Sequence, residues 1–201
     1  ISIFLLLDMR PTERIKEAKR VLEAEANAIF AASKKIDFNF SKCIDLIIDC
    51  KGTVVISGIG KSGNIGKKIT STLASLGTPS IFLHTSDAFH GDLGILRKND
   101  LLILISNSGE TDELIRLLNY ANKNGIKSIA VTGKINSTIN KEATCTLNAV
   151  VENEACPLNL APTCSTSVTM ALGDALASIC AMERGFKEND FARFHPSGNL
   201  H

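Results

Sequence analysis

Short apolar runs alternate with helical patterns from residue 53 to residue 183, and this alternation constrains the fold more than any other feature of the sequence. Segments with an apolar residue every three or four positions separate the runs, as in helices that cover a sheet. Strands that alternate with helices build a doubly wound α/β sandwich, so we predict three layers around a mostly parallel five-stranded sheet. The predicted strands cover residues 53–57, 80–84, 101–105, 127–132 and 145–151.

Two further helices are predicted ahead of the first strand. Residues 12–35 place Ile15, Leu22 and Ile29 among charged side chains, which is typical of an amphipathic helix. A second helix is expected over 41–50. Because the first helix stands outside the alternating pattern, we expect it to pack on a neighbouring subunit.

Composition excludes several classes of protein. The 201-residue chain can bury a substantial core, and its formal net charge of +1 gives no attraction for nucleic acid or an anionic membrane. The six cysteines form no C-x-x-C pair, which favours reduced thiols in the cytoplasm. The apolar stretch 1–7 is too short to span a bilayer and lacks the basic start of a signal peptide.

We therefore predict a cytoplasmic protein with one domain over 12–201 and an N-terminal extension over 1–11. The first residues of that extension fit a leader, a tag remnant or an extra strand, and the sequence does not decide among these.

The third predicted strand ends abruptly in the polar segment 106–111, with sequence SNSGET, and a helical pattern follows at once. The first turn of a helix carries unpaired N–H groups and a partial positive charge, so hydroxyl groups clustered there suit a phosphate dianion. An ordinary capped turn is the alternative, because serine and threonine also favour helix N-termini.

A glycine-rich segment, GIGKSG at 58–63, follows the first strand in the same way. It matches the G-x-G-x-x-G dinucleotide fingerprint, but the second strand ends in His84 where the ribose-binding acid is expected. A Walker loop would need a glycine where Val55 stands. Both nucleotide interpretations are weak. Glycines still allow close approach of a ligand, with Lys61 and Ser62 at a helix N-terminus; a solvated surface lysine is the alternative for Lys61.

Histidines and carboxylates follow other strands. His84 and His90 lack a third ligand at zinc-site spacing, so we prefer a substrate-facing pair, with a buried, satisfied histidine as the alternative for each. Ligands bind beyond the carboxyl ends of parallel strands. We therefore expect these residues to gather at one edge of the sheet: Lys61, His84, Ser106, Glu113 and Glu154.

With SNSGET beside GIGKSG, the chain resembles a sugar isomerase (SIS) domain, which has a flavodoxin-like fold. Further segments resemble the D-arabinose 5-phosphate isomerases in particular: HGDLG at 90–94, EACPL at 154–158, APT at 161–163 and HPSG at 195–198. The resemblance covers nearly all of 12–200. Ser197 stands where the family has a glycine. Long members continue into two CBS domains, so we expect a short form or the SIS portion of a longer protein.

The resemblance implies interconversion of D-arabinose 5-phosphate and D-ribulose 5-phosphate, which feeds synthesis of the eight-carbon acid Kdo for lipopolysaccharide or capsule. It implies no required cofactor, although the position of His84 can take up zinc, which is associated with inhibition. The residues that it places in or near catalysis are Lys61, Glu113, Glu154 and His195. Those that it places on the phosphate are Ser62, Ser106, Asn107, Ser108 and Thr111. Those that it places on the sugar are Gly77, Thr78, His84 and His90.

An aldose and a ketose phosphate exchange through an enediolate, which requires a carbon base, an acid for the oxygens and a group that stabilises negative charge. We assign these roles to Glu154, His195 and Lys61, and we expect desolvation to raise the pKa of Glu154. Glu113 then positions Lys61 or the sugar.

Because His195 lies on a terminal segment, we expect a homotetramer, or failing that a dimer, whose site is completed between subunits. An isomerase of another sugar phosphate and a non-catalytic sugar-phosphate sensor remain alternatives.

Overall fold

The computed structural model describes residues 9–196, so the apolar stretch 1–7 and the last two residues of the HPSG segment lie outside the described residues. The helices are α1 Pro11–Ser33, α2 Phe38–Asp49, α3 Lys61–Ser75, α4 Thr85–Ala88, α5 Asp112–Lys123, α6 Thr138–Glu142, α7 Cys164–Glu183 and α8 Glu188–Phe194. The strands are β1 Val54–Gly58, β2 Ser80–Phe82, β3 Leu101–Ser106, β4 Lys127–Thr132 and β5 Cys145–Asn148. A short 3-10 helix covers Asp92–Ile95.

The five strands form one sheet in the order β2-β1-β3-β4-β5, and every pair is parallel. In the register, Val54 lies between Ser80 and Leu101, and Ser106 lies beside Thr132. The predicted three-layer sandwich with N-terminal helices is confirmed, and its sheet is wholly parallel.

The central strand β3 shows why the runs are apolar throughout instead of alternating. All six of its residues are buried, because helices cover both faces of the sheet. Leu101, Ile103 and Ile105 pack in the core under α2, α3 and α7, whereas Leu102 and Leu104 pack under α5. Alternate side chains of β3 therefore point to opposite faces of the sheet and pack in two different cores.

Helix α7 is the centre of one of these layers. Within residues 9–196 it alone is long and apolar enough to cross a membrane, and 56% of that apolar stretch is buried. It packs against α1, α2 and α3, as the core helix of a folded domain does.

Helix α1 packs one face on α7 and leaves the other uncovered. On the inner side, the Arg20 guanidinium donates a hydrogen bond to the carbonyl oxygen of Ala155 at 2.5 Å. On the outer side, Ile15, Leu22 and Phe30 are 59%, 70% and 61% exposed. This apolar outer face fits the expected packing on a second subunit, which remains a prediction.

Several element ends differ from the predicted ones; helix α2, for example, begins at Phe38 instead of residue 41. Strand β2 ends at Phe82, because His84 becomes the residue that precedes α4. Strand β5 ends at Asn148, whose side-chain carbonyl accepts the N–H of Val150 and turns the chain away. Helix α3 begins at Lys61, directly after Gly60, whose positive φ of +60° is readily adopted only by glycine.

Candidate functional site

Two strand-to-helix turns meet at the carboxyl edge of the sheet, where β1 and β3 lie side by side. The turn after β1 leads into α3 on one face, and the turn after β3 leads into α5 on the other. In a sheet of this order, the chain leaves neighbouring strands in opposite directions at this point, which opens a crevice. The GIGKSG and SNSGET segments therefore border the same crevice.

Close backbone packing explains the glycines of the first turn. A Cβ on Gly63 would lie 2.7 Å from the carbonyl oxygen of Gly58, closer than side chains pack. The first turn of α3 therefore comes directly against the end of β1. As a result Lys61 and Ser62 are the first two residues of α3, with Lys61 exposed and Ser62 half-buried.

The second turn is organised by its own hydroxyl groups. The buried Ser106 Oγ accepts the N–H of Gly109 at 3.0 Å and lies 3.0 Å from Thr111 Oγ1. Ser108 Oγ accepts the N–H of Glu110 at 3.2 Å. These bonds hold the segment in a compact loop that ends at Thr111, the residue preceding α5.

This loop leaves donors available for an anion. Among the described residues, nothing accepts the main-chain N–H groups of Ser108, Thr111 and Asp112. The Glu110 carboxylate does not fill the loop, since it accepts the N–H of Thr138 at 3.1 Å, and these hydrogen bonds lower the pKa of Glu110. Free N–H groups at a helix N-terminus are a recurring phosphate site.

A small cleft connects the two turns with the start of α7. Its polar lining comes from Ser62, Asn107 and three hydroxyl residues of α7: Ser165, Thr166 and Thr169. The sequence predicts Ser62 and Asn107 in the site but not the hydroxyl residues of α7. The signal for Ser165 and Thr166 is the hydroxyl-rich run TCSTS at 163–167, which by itself indicates only a helix cap.

Glu154 lies at the same end of the molecule and caps α7. Its Oε2 accepts the N–H of Thr163 at 2.7 Å, the hydroxyl of Thr163 at 3.1 Å and the N–H of Ser165 at 3.1 Å. None of these three hydrogen bonds goes to its Oε1. One carboxylate oxygen is thus committed to the structure, and the other is available for chemistry.

The expected rise in the pKa of Glu154 is wrong. Burial does raise this pKa, but hydrogen bonds from Ser165 and Thr163 outweigh burial and bring it below the ordinary value of 4.5. Sequence reasoning considered only desolvation, because the donors come from residues nine and eleven positions later. Glu154 is therefore ionised at neutral pH, the form that a base requires.

This lowered pKa predicts how stability depends on pH. Glu154→Gln should lower the free energy of unfolding at pH 7, because a carboxylate accepts stronger hydrogen bonds than an amide. The carboxylate's contribution is present above pH 4.5, the ordinary pKa, and is lost as the pH falls through the lowered folded-state pKa. Urea denaturation from pH 7 to pH 3 should show the two proteins converging; a gap that stays constant would contradict the cap.

The remaining residues of this edge follow β2 and β3. His84 and His90 are both exposed, so neither is a buried core histidine, and His84 lies edge-to-face against Phe82 at 6.5 Å. Glu113 is exposed in the first turn of α5. Residues 9–196 bring no three His, Cys, Asp or Glu side chains together as a metal site, so zinc at His84 remains a prediction.

Gly77 and Thr78 lie at the opposite edge of the sheet, because they precede β2 instead of following a strand. A Cβ on Gly77 would be 2.8 Å from the ring of Phe186, which follows α7. The Thr78 hydroxyl is buried and has no hydrogen-bond partner among the described residues. One subunit therefore does not bring these two residues together with the cleft.

His195 also lies away from the cleft. It follows α8 at the far end of α7, where Arg184 donates a hydrogen bond to the carbonyl oxygen of Ile47. Its ring stacks on Phe191 at 3.9 Å, and its Nδ1 lies 2.8 Å from the carbonyl oxygen of Phe191. His195 thus shares an edge with Gly77 and Thr78, while the other predicted site residues share the carboxyl edge.

Comparison with known proteins identifies the family in which these turns occur. The model of the SIS domain family matches residues 46–179. The chain belongs to the SIS domain family. This SIS domain is 49% identical over 187 residues to the arabinose 5-phosphate isomerase KpsF of Escherichia coli O6:H1, covering 92% of this chain and 57% of that protein. It is 51% identical over 186 residues to a probable arabinose 5-phosphate isomerase of Haemophilus influenzae, covering 92% and 55%. The chain thus spans a little over half the length of these relatives.

Solved structures give the same result for the fold. A protein of E. coli CFT073, solved in complex with arabinose 5-phosphate, superposes with a TM-score of 0.90 at 38% identity, covering 94% of this chain and 100% of that chain. A putative sugar-phosphate isomerase of Listeria monocytogenes superposes with a TM-score of 0.91 at 33% identity, with the same coverage.

Proposed function

We propose that this SIS domain is an aldose–ketose isomerase that interconverts D-arabinose 5-phosphate and D-ribulose 5-phosphate through an enediolate. The geometry that supports the proposal is a phosphate-type loop whose Asn107 lines the cleft, together with an ionised Glu154 that accepts the N–H of Ser165, a residue on the other side of that cleft. The names of the KpsF relative and of the H. influenzae relative support the choice of sugar.

In this proposal the phosphate binds at the loop after β3 and at the start of α3. Ser106 and Thr111 shape the loop, whereas Ser108 and Asn107 offer exposed side chains and Ser62 borders the cleft. The free N–H groups of the loop donate to the phosphate oxygens. The phosphate end of the sugar is thereby fixed, and C1 and C2 extend toward α7.

The proton transfers follow from the remaining groups. Glu154 takes the proton from carbon with Oε1, which takes no part in the three hydrogen bonds at the start of α7. His195 moves protons between the two sugar oxygens, and Lys61 stabilises their developing negative charge. Glu113 positions Lys61 or the sugar. Proton transfer of this kind needs neither a redox cofactor nor a metal ion in principle.

The site is completed by a second copy of the chain. Gly77, Thr78 and His195 share the edge of the sheet opposite Lys61 and Glu154, so they reach a sugar only from another subunit. The apolar outer face of α1 supports such an assembly. We propose a homotetramer, with a dimer as the smallest complete unit.

The proposal also includes the cellular compartment and the pathway of the reaction. The enzyme acts in the cytoplasm and supplies Kdo synthesis for lipopolysaccharide or capsule. Zinc taken up at the exposed His84 would inhibit it by occupying the sugar site.

Removal of one cradle hydroxyl tests the phosphate site. Ser108→Ala should raise the KM for D-arabinose 5-phosphate about tenfold or more, because a hydrogen bond to a charged group contributes about 1.5–3 kcal/mol. Thermal unfolding should change little, since Ser108 is exposed. Ser71→Ala, an exposed serine on α3, is the matched control. An unchanged KM for Ser108→Ala would count against the cradle.

A further inference from the structure

Thr163 contacts the Glu154 carboxylate through two of its own groups. Its main-chain N–H and its hydroxyl both donate to Glu154 Oε2, at 2.7 and 3.1 Å. The same hydroxyl accepts the N–H of Ala155 at 2.7 Å. One threonine side chain thus connects the carboxylate with the peptide group that follows it, and it uses its hydroxyl as donor and acceptor at once.

Other contacts fix only the main chain of this loop. Asn159, in a left-handed conformation with φ +53°, accepts the N–H of Glu154 on its side-chain oxygen at 2.6 Å. Arg20 reaches from α1 to the carbonyl oxygen of Ala155 at 2.5 Å. Neither residue contacts the carboxylate. The orientation of the carboxylate therefore depends on the start of α7, where Ser165 adds its N–H at 3.1 Å.

We propose that Thr163 is a positioning residue for the reaction, one that holds Oε2 of Glu154 against α7 so that Oε1 alone is presented to the sugar. This inference rests on the proposed isomerase function. An enediolate base must reach two adjacent carbons from one place, and small errors in the position of a catalytic group are costly. A carboxylate without the hydrogen bond from the Thr163 hydroxyl could rotate about its Cγ–Cδ bond, so that neither oxygen would keep the required direction toward both carbons.

The decisive variant is Thr163→Val, which keeps the shape and the main-chain N–H but removes the hydroxyl. We expect kcat to fall about tenfold to a hundredfold while KM changes little, because the ground-state contacts of the phosphate remain. The acidic limb of the kcat profile should move to higher pH, since the ionised Glu154 loses a donor. Thr163→Ser should restore both properties.

Thr72→Val is the matched control. The Thr72 hydroxyl donates to the carbonyl oxygen of Lys68 at 3.1 Å on α3 and does not touch the Glu154 loop. This variant should leave kcat and its pH profile unchanged. A Thr163→Val enzyme with the wild-type pH profile, or a Thr163→Ser enzyme as impaired as Thr163→Val, would overturn the proposal.

A carbon-13 NMR titration of the Glu154 carboxyl group, assigned with Glu154→Gln, separates this inference from the proposed function. The pKa should lie below 4.5 in the wild type and rise in Thr163→Val, whether or not the protein isomerises any sugar. If the valine variant does not fold, the wild-type titration and the serine variant test the role of Thr163 instead. A wild-type value at or above 4.5, or equal values in the two proteins, would overturn the role of Thr163.

Discussion

Glu154→Gln is expected to lower kcat for the interconversion of D-arabinose 5-phosphate and D-ribulose 5-phosphate about a thousandfold, within the usual range for loss of a general base. Glutamine has nearly the shape of glutamate but cannot accept the proton from carbon. Its amide oxygen can still accept the N–H groups of Thr163 and Ser165, so the start of α7 should persist. KM should change little, because the proposed phosphate contacts lie after β3 and at the start of α3, away from Glu154.

Glu152→Gln provides the control for this experiment, because Glu152 is an exposed carboxylate in the same loop. It should retain wild-type turnover. Circular dichroism and thermal unfolding of both variants establish that the fold is intact. Near-normal turnover in folded Glu154→Gln would remove Glu154 as the base.

Lys61→Ala and His195→Ala are each expected to abolish most activity, and co-expression of the two is expected to restore part of it. In the proposed shared site, Lys61 and His195 come from different subunits, so a hybrid of one subunit of each kind should have one site with both defects and one site with none. Random pairing of equal amounts predicts recovery of roughly a quarter of wild-type activity. Separate affinity tags on the two chains allow the hybrid to be purified and assayed.

A second hybrid tests whether the recovery of activity depends on which two residues are mutated. Lys61 and Glu154 lie at the same edge of the sheet in one subunit, so a hybrid of Lys61→Ala with Glu154→Gln contains no intact site. That hybrid should remain inactive. An inactive hybrid of Lys61→Ala with His195→Ala would contradict a site shared between subunits.

Much of the fold could be predicted because its signals are local. Strand β4 occupies the predicted residues 127–132, and five of its six residues are buried, as expected for an inner strand that helices cover on both faces. The turns after β1 and β3 could also be predicted. Their glycines allow close backbone packing, and their hydroxyl groups form hydrogen bonds with the main chain of the turn. Edge strands β2 and β5 were predicted too long, because hydropathy does not show that α4 begins soon after Phe82 or that the Asn148 side chain turns the chain away from the sheet.

The environment of Glu154 could not be predicted from the sequence. Its lowered pKa depends on donors at 163 and 165 that come within reach only after the loop 149–163 folds back onto α7. The same limit applies to Gly77 and Thr78. Their neighbours in sequence lead into β2, and only the topology reveals that they share an edge with His195.

The proposed activity of this SIS domain is the conversion of D-arabinose 5-phosphate into D-ribulose 5-phosphate. Its most direct test is the initial rate of aldose–ketose conversion by the purified protein across a panel of pentose, hexose and heptose phosphates, with binding of each sugar measured in parallel. We predict the highest kcat/KM for D-arabinose 5-phosphate, with the reverse reaction observed from D-ribulose 5-phosphate. Binding without turnover, or faster conversion of another sugar phosphate, would contradict the claim.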